Sequence, residues 1–238
     1  GLHVWRPGTN VRRYVVPIGE TPDDDGWFHF DCALDASMTA DVQFKLYQRQ
    51  DDDDAPSDRW EGRHCNRRLP RSDSGGFPDH VWFAQDSARV LLADPMATAT
   101  DRVRIHLITA RRYRAGKLFL WSPDRDREER RDPIGEDEFG PYWDVEPTGR
   151  DRHLFHFKFL AEDGQRFEPD YANRVYASVD GDEIWTHSEG LEIVSQRPER
   201  KTLSVFLRQE GGDAAETRMH LWQESSDFAT DVAGNNTG

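Results

Sequence analysis

Phe119 and Trp121 stand two apart in GKLFLW (116–121), so on a β-strand both rings leave the same face. Two flat aromatic surfaces side by side either seal a core or form an exposed stacking platform, and spacing alone leaves both readings open. The pattern recurs as His3 with Trp5 and as His220 with Trp222. Glu136, Asp137 and Glu138 follow in a turn, but glycoside hydrolysis needs two carboxylates held across a cleft, and this trio has no partner set. The histidines of HLFHFKFL (153–160) alternate with phenylalanine and read as outward strand positions. No HxH or HExxH spacing backed by a third ligand occurs, so no metal is expected. The run Asp51 to Asp54 lacks the spacing of a calcium loop and reads as solvated. No glycine-rich phosphate loop and no Ser/His/Asp order is present, and no cofactor is expected.

The elements that must position these rings are short strands that repeat. Trp5, Pro17 and Trp27 plus 116 give Trp121, Pro133 and Trp143, and PIGE at 17–20 returns at 133–136. Phe44-Lys45-Leu46 plus 113 gives Phe157-Lys158-Phe159, and Trp82 plus 103 gives Trp185. The falling offset marks 13 extra residues in the first copy, expected mostly in the irregular Ala55–Pro78 insertion that carries Trp60. KTLSVFLRQ (201–209) repeats DRVRIHLI (101–108), and MHLW (219–222) repeats LFLW. The expected organisation is a first unit at 1–97 without its first strand, a complete unit at 101–198, and the start of a third, or exchanged strands, at 201–238. Strands of four to eight residues, turn signals about every ten and no sustained helical period predict an all-β chain of tandem immunoglobulin-like β-sandwiches. Trp143 and Trp185, in alternating apolar strands, are expected in cores. The two incomplete ends read either as missing flanks or as strands exchanged between chains.

The chain has 238 residues, of which 36% are hydrophobic, and the mean hydropathy is −0.87. Its 8 Trp, 13 Phe and 6 Tyr supply enough apolar surface for two small cores. A net charge of −14 repels nucleic acid and anionic lipid, so neither is an expected partner. No apolar run reaches the roughly 20 residues of a membrane helix. Cys32 and Cys65 fit no metal spacing; they are either buried thiols or a disulfide tying the insertion to the sheet.

At GKLFLW, PIGEDEFGPYWDV and DGDEIWTHSEGLEIVSQRP the chain resembles the family 41 carbohydrate-binding modules, the α-glucan-binding modules that precede pullulanases. His106, the Phe119/Trp121 pair, Gly135 to Gly140 and Glu183-Ile184-Trp185 match that family's motifs in order. The resemblance implies non-catalytic binding of starch, glycogen, pullulan or maltooligosaccharides, and a secreted or cell-surface enzyme as the parent. It implies that Phe119, Trp121, Trp5 and Trp222 stack on sugar rings, and that Lys158, Lys45 and Asn173 contact sugar hydroxyls. The family's later Lys-Asp pair falls near Glu168 and Asn173, where this chain departs from the pattern. A structural or adhesive repeat without sugar binding is the rival reading.

Overall fold

A computed structural model of the chain describes residues 1–19, 21–24, 26–34, 42–47, 60–62, 65–71, 76–109, 115–121, 128–162, 166–168, 172–188, 190–199, 218–223 and 226–233. For Ala115, 218–223 and 226–233 the description covers backbone only. The expected strand at 201–209, the Asp51–Asp54 run and any strand exchange resting on 201–209 lie outside these residues. Among the described residues the chain is all-β. Near the N-terminus are β1 (Leu2–Trp5), β2 (Arg12–Val15), β3 (Gln43–Leu46) and β4 (Arg67–Arg68). Then come β5 (Val103–Ile108), β6 (Ala115–Trp121), β7 (Glu128–Arg131), β8 (Gly135–Glu136), β9 (Pro141–Val145), β10 (Leu154–Ala161), β11 (Phe167–Glu168), β12 (Arg174–Ala177) and β13 (Glu183–His187). The hairpin of β14 (Arg218–Gln223) and β15 (Ser226–Ala233) follows.

The central strands make a β-sandwich. One sheet has the order β13-β5-β9-β8; the other has β11-β10-β6-β7, with β12 also paired to β10. Alternation sends Val103, Ile105 and Leu107 of β5, Leu118 and Leu120 of β6, and Phe155, Phe157 and Phe159 of β10 into one core with Trp143 and Tyr176. Each such side chain stabilises the fold by about 1.5–3 kcal/mol relative to exposure. Gly140 closes the β8–β9 turn at φ 142°, where a Cβ would lie 2.5 Å from the Leu107 carbonyl oxygen, so only glycine fits against β5.

The N-terminal strands form one sheet, β2-β1-β3-β4. Leu2, Val4, Val42 and Phe44 pack there against Phe30, Cys32, Phe77, Val81 and Phe83 from irregular segments. These segments are held by isolated bridges, Ile18 to His29 and Trp82 to Leu91.

Several strand pairings recur at matching spacings. Leu2 pairs with Val15 and Leu46, and Leu118 pairs with Arg131 and Phe159 in the same way. Met219 pairs with Val232, again the register of Leu2 with Val15. Tyr47 bridges Trp60 as Leu160 pairs with Phe167, and Trp82 bridges Leu91 as Trp185 bridges Val194.

Pairing corrects the sequence alignment in two places. The Ile18 amide donates to the His29 carbonyl at 2.7 Å, and the Ile134 amide to that of Tyr142 at 3.0 Å. His29 therefore matches Tyr142, and Phe30, not Trp27, stands where Trp143 stands. Trp27 instead packs with Trp82, Leu91, Leu154, Val175 and Ala177, a cluster that joins the N-terminal part to β10 and β12. The extra residues are also not confined to 55–78. They fall before His29, between Tyr47 and Trp60, and before Trp82, while Trp60 and β4 belong to the ladder itself.

Across the same junction Arg89 donates to Asp180 at 2.6 Å and to the Val175 carbonyl at 2.7 Å. Ser178 donates to the Pro95 carbonyl at 2.7 Å.

Candidate functional site

The neighbours of Phe119 and Trp121 decide which face the rings take. Leu118 and Leu120 enter the core, so Phe119 and Trp121 leave the opposite, outer face, where both are half-buried. Their ring centroids lie 5.4 Å apart and their planes meet at 46°. Across the ladder Lys158 pairs with Phe119 and His156 with Trp121, and the His156 ring stacks on Trp121 at 5.5 Å. Arg130 pairs with Phe119 from β7 and holds its guanidinium 5.6 Å from the ring centre. Asn173 lies one residue before Arg174, which pairs with Phe157, so the pairing line carries Asn173 towards Lys158. Glu168 pairs with Phe159, is buried, and lies away from the platform.

The N-terminal sheet repeats this arrangement with other side chains. His3 pairs with Lys45 and with Tyr14, and its ring stacks on Trp5 at 4.9 Å and on Tyr14 at 4.6 Å. Burial, then Arg12 and Lys45, push the His3 imidazole below its usual pKa, which favours the neutral ring at neutral pH. Lys45 is buried, with its ammonium 5.9 Å from the Trp60 ring centre. Trp222 lies on β14, paired with Ala229.

Three aromatic residues were not legible as platform members. Phe167 meets Phe119 edge-on at 5.1 Å and 62°, and Trp60 meets His3 at 5.2 Å and 64°. Tyr14, 45% exposed, takes the place that Arg130 holds beside Phe119. A signal for the first two exists in the sequence: an aromatic residue, then Glu, then Arg six positions on, as Trp60-Glu61 with Arg67 and Phe167-Glu168 with Arg174.

The outer face of the other sheet holds a cavity of about 280 Å³ lined by His106, Asp137, Phe139, Tyr142, Glu183 and Trp185 among others. The imidazole of His106 lies between Asp137 at 2.6 Å and Glu183 at 3.0 Å and stacks on Trp185 at 4.9 Å. Trp185 is thus buried, as expected, but beneath this outer cluster and apart from the core, whereas Trp143 is in the core. Asp137 also accepts the amides of Phe139 and Gly140, and Arg197 pairs with Glu138, so these acids build the turn.

Cys32 and Cys65 are free thiols, so the disulfide alternative does not hold. Glu61, Cys65 and Asp86 place ligand atoms within 4.8 Å of one another. That group does not suit a metal: the fully buried Arg67 guanidinium already takes both Glu61 oxygens at 2.7 Å and would repel a cation. Burial, and after it Glu61, push the Cys65 thiol up to about 12, away from the thiolate a metal needs.

No family model and no curated protein matches the chain. Solved structures that resemble it weakly include the following two. One is a product complex of the multi-modular glycogen-degrading pneumococcal virulence factor SpuA, at 15% identity and a TM-score of 0.30, over 82% of this chain and 20% of that one. The chain thus spans a fifth of that protein's length. The other shows α-glucan recognition by family 41 carbohydrate-binding modules from streptococcal virulence factors, at 12% identity and a TM-score of 0.30, over 82% and 88% of the two chains.

Proposed function

We propose that the chain binds α-glucan without catalysis, through aromatic rings on the outer faces of its sheets. The observation that carries this reading is the half-buried Phe119/Trp121 pair, held outside the core with Lys158 across the ladder. A glucose ring has an apolar face that stacks on an aromatic ring, while edge groups hydrogen-bond its hydroxyls. Rings meeting at 46° suit a chain that curves, as α-linked glucans do, better than a flat ribbon needing coplanar rings. Lys158 and Asn173 are the expected hydroxyl contacts beside this pair. On the N-terminal sheet Trp5 and Lys45 take the same roles, and Trp222 marks a third copy. Residues 1–97 and 101–198 are then tandem binding units, with 201–238 beginning another. The expected context is a secreted or cell-surface pullulanase-type enzyme that the units hold on its polymer.

Affinity electrophoresis tests the reading. The chain should be retarded in gels containing glycogen or pullulan and run unchanged in gels containing hydroxyethylcellulose. Equal mobility in all three gels would reject it.

A further inference from the structure

We propose that Phe167 and Trp60 form a third sugar-stacking position, which lengthens each platform by one subsite at its Phe119 or His3 end. This rests on the α-glucan reading. Both residues occupy the same ladder place, Phe167 opposite Leu160 and Trp60 opposite Tyr47. Each is followed by a glutamate on the other face, Glu168 buried at 3% exposure and Glu61 clasped by Arg67. Alternation therefore turns Phe167 and Trp60 outward, towards Phe119 and His3.

The geometry is held while the chemistry changes. Phe against Phe meets at 5.1 Å and 62°, and Trp against His at 5.2 Å and 64°. Edge-on contact is a favoured geometry for two aromatic rings, and at these outward positions it leaves one face of Phe167 and of Trp60 outside the contact. A ring set obliquely to its neighbour offers a face to the next sugar of a turning chain. The path in the central sandwich then runs Trp121, Phe119, Phe167, each within 5.4 Å of the next. In the N-terminal sheet it runs Trp5, His3, Trp60, flanked by Tyr14. The ammonium of Lys45, 5.9 Å from the Trp60 ring centre, lies at the join between the second and third positions.

The experiment isolates one platform in the full chain. In a Trp5→Ala, Trp222→Ala background, Phe167→Leu keeps apolar bulk and removes the ring, and Phe167→Trp restores one. Calorimetric titration uses maltotriose, short enough for two rings, and maltoheptaose. By the strength of aromatic stacking on planar ligands, Phe167→Leu should weaken maltoheptaose binding about fivefold to a hundredfold and leave maltotriose within about twofold. Phe167→Trp should retain maltoheptaose binding. Trp60→Leu and Trp60→Phe in a Trp121→Ala, Trp222→Ala background should divide the same way. Unchanged maltoheptaose affinity, or equal loss for both sugars, overturns the third position while leaving the two-ring platform standing. A wild-type chain that binds neither sugar overturns the α-glucan reading itself.

Discussion

Arg67 and Arg174 hold the same place in two ladders: Arg67 pairs with Phe44 and Arg174 with Phe157. Each guanidinium crosses to the facing layer, Arg67 to the Ala84 carbonyl at 2.8 Å and Arg174 to that of His187 at 2.7 Å. Both arginines are fully buried, so each is a polar clip through an otherwise apolar core. Their compensation differs. Arg67 faces the Glu61 carboxylate, whereas Arg174 is met by the Glu168 carbonyl at 2.5 Å and the Thr186 hydroxyl at 3.0 Å.

Removing the cation at Arg67 should therefore be costly. Arg67→Met strands the buried Glu61 charge and should destabilise by about 3–5 kcal/mol. Urea unfolding checks this, and an Arg67→Met variant as stable as wild type would contradict it.

The strands and their alternation were legible because period two is written into GKLFLW and HLFHFKFL. Strand pairing was less so. Trp27 and Trp143 match as two tryptophans after PIGE, yet the amide hydrogen bonds of Ile18 and Ile134, with the packing of Phe30 against the N-terminal core, assign that place to Phe30. Residue identity misled there because a core position selects apolar volume, and Phe serves as well as Trp. Trp60 was hidden for another reason. It follows a stretch of polar and acidic residues with no period, and only its pairing with Tyr47 returns it to the sheet. The outward direction of Phe119 and Trp121 needed the opposite sheet, since spacing alone does not say which face is the core.

The thiols make a second prediction. Burial pushes both Cys32 and Cys65 up, Cys65 to about 12, so the thiolate is scarce at pH 8. The folded protein should react slowly with a thiol reagent, Cys65 the slower of the two. Unfolded without reductant, the chain should titrate two thiols. A fast-reacting Cys65, or none free after unfolding, would contradict the structure.

Acid sensitivity has a named source. Arg104, hydrogen-bonded to Asp144 at 2.7 Å, and then Arg102 hold that carboxyl at about 2, below its usual 3.8. A carboxylate with a lowered folded pKa stabilises the fold above its unfolded value, and that contribution fades as pH falls from about 4 towards 2. Asp144→Asn should lower the melting temperature at pH 6 and bring the variant and wild-type curves together near pH 2. A gap that stays constant over this window would reject the assignment.

The central claim is that outward rings bind sugar, and titrating the chain with maltoheptaose tests it most directly when Trp121→Ala is measured beside wild type in the Trp5→Ala, Trp222→Ala background. Loss of one stacked ring should weaken binding by about 1–3 kcal/mol while the melting temperature stays near that of the parent. Unchanged affinity in a folded Trp121→Ala variant would contradict the account.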